Sequence, residues 1–422
     1  ALALLPAVDG LPLAAYLAML SLLFGGLLSV PVLVRLLGRL LLAPRSAGRL
    51  LLRERAREHA GEAAQTLAGV LVALALSVAM LVMVTSFRGS LNDWLRQMLP
   101  ADLYVRSGLR AEPGERAPLP PRFVEAVRAS GLAERVEVQR SRRLVWEGRE
   151  LALLARPLPD ERRLPLAGPL GAAPAPGLTP LYVNEALRDQ AGLRPGQRLD
   201  LPGLTPGFVR GIWRDYSRQS GAVLMRHADY RRAGGDATVT ELYLWLSPGA
   251  DLDAIQSGLR ALAADPDDIE LAAGGELLAL SLRLFDRSFA VTYWLQAIAL
   301  GLGLVGVAAA LSAQVLARRR EFGLLRHLGF TQGQILRLLL AETALYSAAG
   351  AMLGLLLGLG ISAVLVFVVN PQSFHWSMDL ALPWPRLAAL LAATLAAALL
   401  TAWLSGRRVG RQDAVQAVKE DW

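Results

Sequence analysis

The residue types that most often carry catalysis or bind metals are sparse in this chain and poorly placed for either. The four histidines, His59, His227, His327 and His375, lie far apart, and the hydropathy pattern distributes them to both sides of a membrane, so no metal set assembles. There is no cysteine, which removes thiolate ligands and disulfides. Asp265, Asp267 and Asp268 lack the spacing of a calcium loop and read as a solvated turn. Gly301, Gly303 and Gly306 match G-x-G-x-x-G, but inside an apolar run with no strand–turn–helix around it. Close helix packing is the better reading there than dinucleotide binding. A Walker-type phosphate loop needs lysine after glycine, and the only lysine, Lys419, follows Val418, so ATP is not bound here in that way. No nucleophile–base arrangement stands out.

What remains is the chemistry of recognition and packing. In the segment 317–343, Phe322, Leu325 and Leu328 are spaced three apart and share a helix face, with Arg319, Arg320, Arg326 and His327 elsewhere around it. Gly329 can end that helix and Thr331 can cap the next. A short amphipathic helix between two apolar runs suits a cytoplasmic partner, and equally suits an interface with anionic lipid. Gly350, Gly354, Gly358 and Ser362 form a row of small residues four apart, which predicts a packing seam against a neighbouring helix. Glu342 is a carboxylate inside the same apolar run, near its cytoplasmic end. It is read as structural, reaching toward Arg337 or the interface.

The elements that must position these residues are membrane helices. The chain has 422 residues, 54% of them hydrophobic, and the apolar runs gather toward the two ends. Five runs are long enough to cross a bilayer: 12–37, 64–87, 289–316, 334–369 and 386–405. The stretches 35–62, 318–337 and 407–422 together hold 16 basic and 7 acidic residues, whereas 88–286 holds 26 of each. Basic excess marks the cytoplasmic side, so those three stretches face the cytoplasm and 88–286 lies outside it. The same distribution accounts for the net charge of +8 without nucleic-acid binding. Leu51, Leu52 and Ala56, against Arg53, Arg57 and Glu58, make 49–65 an interfacial elbow helix. The first residue is Ala, and this topology sets the N-terminus outside. A helix preceding the numbered chain is therefore expected.

The expected organisation is a first span with its elbow over 1–63, a second span over 64–87, and an extracytoplasmic domain over 88–286. Three spans with a cytoplasmic helix near 318–330 then occupy 287–406, and a cytoplasmic tail fills 407–422. Within 88–286, the stretches 102–107, 142–155, 197–201, 208–213 and 241–246 read as strands, and 120–130, 182–192 and 252–264 as amphipathic helices. The fold class is a membrane α-helical bundle of about five spans carrying a large α+β domain. A helix near 274–288 is expected to run into the third span. Trp146, Trp213 and Trp245 are candidates either for contact with an amphiphile or for the domain core.

The run RRREFGLLRHLGFTQGQILRLLLAETALYSAAGAMLGLLLG resembles the signature of FtsX-like permeases, the family that includes MacB and the LolC/LolE proteins. VNEALRDQAGLRPGQRLDL is similar to a stretch in that family's extracytoplasmic domains, and one span, a domain and three more spans match its architecture over about 64–422. The extra span at 12–37 resembles the ten-span form, which makes this chain its C-terminal half. The resemblance implies a permease of the bacterial inner membrane that transmits ATPase motions to an extracytoplasmic domain. It implies an ABC ATPase dimer docking on Arg320, Glu321, Phe322, Leu325, Arg326, Leu328 and Gly329, with Phe322 and Leu325 filling an apolar cleft. It implies a second permease unit, fused or separate, contact with membrane lipids, and a periplasmic carrier protein. ATP and magnesium would belong to the ATPase, leaving no cofactor in this chain and no enzyme activity of its own. The implied work is extraction or export of a lipoprotein or lipid. MacB-like efflux of a peptide or drug, and regulation of a periplasmic enzyme without transport, remain the alternatives.

Overall fold

The computed structural model describes residues 2–8, 11–41, 60–112, 115–158 and 160–410. Residues 49–59 of the expected elbow helix, and the tail beyond 410, lie outside the described residues. Along the chain come α1 (Leu13–Leu41), α2 (Ala60–Met98), β1 (Leu103–Ser107), α3 (Pro121–Ala129), β2 (Arg135–Trp146) and β3 (Arg149–Arg156). Then follow β4 (Thr179–Asn184), α4 (Glu185–Ala191), β5 (Arg198–Leu199), β6 (Gly207–Trp213), β7 (Ala222–Arg226) and α5 (His227–Arg232). β8 (Glu241–Trp245), α6 (Leu252–Leu262) and β9 (Ile269–Ala273) close the strand-rich region. The chain ends in α7 (Gly274–Ala317), α8 (Arg319–His327), α9 (Gln332–Val364), α10 (Asn370–Phe374) and α11 (Trp384–Gly410), with one π-helical turn at Leu365–Val369 joining α9 to α10.

Two units separate. The first comprises Ala1–Phe87, Ser288–Gln372 and Asp379–Trp422, and the second Arg88–Arg287 with Ser373–Met378. Among the described residues, five helical stretches are long and apolar enough to cross a membrane: Leu13–Leu33, Leu67–Met98, Gly274–Ala317, Gln332–Phe374 and Trp384–Arg407. In the first unit α2 is central. Leu67 and Leu71 pack with Val30 of α1 and Tyr346 of α9, Leu74 and Val78 with Ala351 of α9 and Leu387 of α11, and Val70 with Val307 and Leu311 of α7. Buried residues on every side explain why α2 has almost no apolar stripe of its own.

The second unit is built on one nine-stranded sheet, in the order β9-β1-β8-β2-β3-β7-β4-β6-β5. The half containing β9, β1, β8 and the start of β2 is antiparallel throughout. With α3 and α6 it makes β-α-β-β-α-β, the ferredoxin-like split unit. Leu103, Val105, Val138, Leu242 and Leu244 alternate onto one sheet face, where Phe123, Val124 and Val127 of α3 and Ile255 and Leu259 of α6 cover them. The chain between β2 and β8 is an insertion with its own core of Leu151, Leu153, Val183, Leu187, Val209, Val223 and Tyr230. Its pairs β3–β7 and β4–β6 are parallel. The twelve-residue β2 serves both halves, pairing β8 over Arg135–Gln139 and β3 over Arg140–Trp146.

Two sequence expectations change here. The single strand expected over 142–155 is a hairpin. Glu147 (φ 48°) and Gly148 (φ 75°) both take left-handed backbone, the turn that suits the twist of adjoining strands. The helix expected over 182–192 begins only at Glu185. Asn184 instead ends β4, and its Oδ1 accepts from the backbone N–H of Leu187 (3.0 Å) and of Ala222 (2.9 Å). The expected helix near 274–288 is the start of α7, which continues unbroken to Ala317.

Candidate functional site

The segment α8 lies between α7 and α9, and local chemistry sets both its ends. Gly329 takes φ 92°, and the Phe330 N–H returns to the Leu325 carbonyl at 3.0 Å, closing the last turn. Thr331 then opens α9 with a reciprocal cap: its Oγ1 accepts from the Gln334 N–H, and Gln334 Oε1 accepts from the Thr331 N–H at 2.8 Å.

Phe322 and Leu325 are only 6% and 8% exposed, packed with Val315, Leu338 and Leu339 and edged by Phe330 and Ile335. The expectation that these two side chains fill a partner's cleft is corrected by that burial, because they hold α8 onto α7 and α9. Leu328 does not share their face. It follows the last helical residue, at the cap, where helical spacing no longer applies, and it is 69% exposed. Leu324, which the spacing argument passed over, is 63% exposed. Arg326, His327 and Gly329 are exposed as well, and Glu321 is partly so. Arg320 lies in α8, with its side chain outside the described set.

Behind α8, Arg318 joins three elements. Its Nη1 donates to Glu342 Oε1 of α9 at 3.0 Å, and its Nε donates to Glu321 Oε2 of α8 at 3.3 Å. Glu342 therefore reaches Arg318 rather than Arg337. A buried carboxylate is tolerated only with such a partner.

The small-residue row lies against α2. A Cβ on Gly350 would come within 2.5 Å of Leu67 Cδ2, one on Gly354 within 3.1 Å of the Leu71 carbonyl oxygen, and one on Gly358 within 2.7 Å of the Ala75 carbonyl oxygen. Leu67, Leu71 and Ala75 are themselves four residues apart, so two helical rows meet backbone to backbone. Ser362, fully buried, continues the row and donates its hydroxyl to Leu359 O at 2.8 Å. Of the other glycines in apolar runs, Gly303 meets Ala73 of α2, whereas Gly301 and Gly306 have open space.

In the second unit, the face of β1, β8 and β2 turned away from α3 and α6 carries polar and aromatic side chains. Glu241 there accepts from Arg106 and from Gln139 Nε2 (2.8 Å), and the Tyr243 hydroxyl donates to Gln139 Oε1 at 2.5 Å. Burial pushes the Tyr243 hydroxyl far above its ordinary range. Residues 373–378 join this unit through side chains that the sequence did not mark. Tyr216 donates to Ser377 O at 2.7 Å, the Ser377 N–H donates to buried Glu185 at 2.9 Å, and Trp376 packs on Tyr216 with ring centroids 5.5 Å apart. His375 sets Nδ1 3.2 Å from Asp189. Of the three tryptophans read as either amphiphile contacts or core, Trp213 is fully buried in the fold, Trp146 is partly buried against the inserted core, and Trp245 lines a pocket. Among the described residues no group of His, Asp and Glu could hold a metal ion.

Five membrane-crossing helices with an α+β unit between the second and third define a multi-pass membrane protein. Residues 295–414, which include α8 and the glycine row, match the family of FtsX-like permeases, C-terminal domain. It is 28% identical over 373 residues to an uncharacterized ABC transporter permease protein of Mycobacterium tuberculosis, covering 84% of this chain and 43% of that one. It is 26% identical over 169 residues to the pyoverdine export ATP-binding/permease protein of Pseudomonas savastanoi pv. phaseolicola, covering 40% of this chain and 24% of that one. The chain thus spans less than half the length of these relatives. The periplasmic region of MacB from Actinobacillus actinomycetemcomitans superposes with a TM-score of 0.30 at 13% identity, covering 42% of this chain and 89% of that one. With its basic excess confined to the short segments, the protein is a multi-pass inner-membrane protein whose large domain lies outside the cytoplasm.

Proposed function

We propose that this chain is the permease part of an ABC transporter, driven by an ATPase on another polypeptide or domain, and that it acts on a hydrophobic substrate such as a lipoprotein or lipid at the outer face of the inner membrane. The observation that carries the reading is the exposed set Leu324, Arg326, His327 and Leu328, presented on the cytoplasmic side by a helix whose other face is buried. Two exposed leucines among basic residues suit a cleft with an apolar floor and an acidic rim. Arg318 ties α8 to both α7 and α9, so force applied to α8 passes to two membrane helices at once. The unbroken α7 starts right after β9, which gives such a movement a stiff path toward the extracytoplasmic unit. The catalytic magnesium and ATP belong to the ATPase, and the chain itself is no enzyme.

The reading is tested by co-purification of the ATPase with the Leu324→Asp/Leu328→Asp variant. Loss of the ATPase with unchanged membrane insertion is expected; undiminished co-purification overturns it. The match to a pyoverdine export protein favours a second reading, export of a small secreted compound. Accumulation of a small compound rather than a lipoprotein in a deletion strain would select that second reading.

A further inference from the structure

On the polar face of the β9-β1-β8-β2 half-sheet, a pocket of about 180 Å³ is lined by Met98, Arg156, Leu158, Leu164, Tyr243 and Trp245, among others. Arg156 is only 7% exposed. Among the described residues no carboxylate lies within ion-pair distance of it. Its Nη2 donates to the Met98 carbonyl at 3.1 Å, its Nη1 lies 3.7 Å from Met98 Sδ, and its guanidinium sits 5.4 Å from the Tyr243 ring centre. Its Nε is buried with no hydrogen-bond partner. Arginine cannot shed its proton to relieve this, and a buried cation without an anion is costly.

The rest of the lining points the same way. Three arginines, Arg135, Arg156 and Arg163, face two carboxylates. Both carboxylates are engaged: Glu137 lies 3.5 Å from Arg135, and Asp160 has a partner of its own. Arg135 stacks on Trp245 with its guanidinium carbon 3.7 Å from the ring centre, which turns that wall into a flat, cation-backed surface. Leu158 and Leu164 supply apolar contact. A liquid water occupies about 30 Å³, so the pocket holds a head group and a few carbons, and not a whole acyl chain.

We propose that this pocket binds the anionic group of a small amphiphile. A carboxylate or phosphate monoester pairs with the Arg156 guanidinium where it lines the pocket, and its first carbons lie against Trp245, Leu158 and Leu164. The inference goes beyond the permease reading and does not depend on it, because the pocket needs no ATPase to be occupied.

The test uses the purified full chain in phosphatidylcholine nanodiscs, without ATPase, titrated calorimetrically with butyl phosphate and butyrate. Butanol and butylamine serve as controls. Saturable binding of the two anions and none of the controls is expected, with a loss of at least about tenfold in Arg156→Gln, as for removal of a charge-assisted hydrogen bond. Trp245→Ala should weaken butyl phosphate several-fold while leaving inorganic phosphate unchanged. Adding phosphatidylglycerol to the nanodiscs separates the sources. Competition assigns the site to a lipid head group, no competition assigns it to a free small anion, and either supports the proposal. Absence of saturable anion binding overturns it, as does a folded Arg156→Gln that binds like the parent. Should Arg156→Gln fail to fold, unchanged butyl phosphate affinity in Trp245→Ala overturns it.

Discussion

Arg318 donates to Glu342 across 3.0 Å, from the residue just past α7 to the third turn of α9, with both side chains less than a tenth exposed. Removing Arg318 takes from Glu342 its 3.0 Å partner, and removing Glu342 leaves Arg318 only the longer contact to Glu321. Arg318→Met and Glu342→Met should each lose about 3–5 kcal/mol of stability, and the double variant should recover most of that. Thermal melts of the four proteins in one detergent close the cycle; losses that simply add would refute a paired role.

The glycine seam predicts a steep size dependence. A methyl at Gly358 would fall 2.6 Å from Val78 Cβ, with the Ala75 carbonyl almost as near, and neither helix backbone can yield cheaply. Gly358→Ala should cost about 1–3 kcal/mol. Gly301→Ala, which has open space around it, should be near neutral. Equal melting temperatures for the two variants would remove the seam from the stability argument.

Burial of Phe322 separates two effects that the sequence merged. Phe322→Asp introduces a charge into the packing of α8 on α9 and should lower the melting temperature of the isolated protein. Leu324→Asp, on the exposed side, should leave it within about 0.5 kcal/mol of the parent. Differential scanning fluorimetry without any partner distinguishes them.

Glu161 gives a pH signature outside the membrane. Hydrogen bonds from Arg210 (2.6 Å) and from the Tyr182 hydroxyl (2.6 Å) hold its carboxyl down from 4.5 to about 2. The folded value lies below the unfolded one, so this stabilisation is complete above about pH 4.5 and fades as pH falls toward 2. Glu161→Gln should melt lower than the parent at pH 6, and the gap should narrow steadily below pH 4.5. A gap that stays constant with pH would rule out the ionised carboxylate as its source.

Membrane helices were legible in the sequence because hydropathy and length are local properties, and the glycine row because spacing of four is local too. The docking face was misread for a physical reason. Phe322 and Leu325 satisfy the same spacing whether they face a partner or their own α9, and only the tertiary packing decides between the two. Arg156 and Met98 are joined across a long stretch of chain, and Arg318 and Glu342, although both lie in 317–343, do not share one helix, so spacing along one helix pairs neither couple. The hairpin at Glu147–Gly148 was hidden because a glutamate seldom takes left-handed backbone.

The double membership of β2 has a consequence for how the protein is made. The ferredoxin-like half owns β1 and β2 before the insertion, and β8 and β9 after it, so its sheet cannot close while the ribosome is still delivering the inserted strands. The insertion can be complete first, and with the C-terminal part of β2 pinned to β3 it then offers the N-terminal part, Arg135–Gln139, to β8. β8 docks on a template rather than on a free chain, and an aggregation-prone open edge is exposed only for the time needed to translate from β2 to β8.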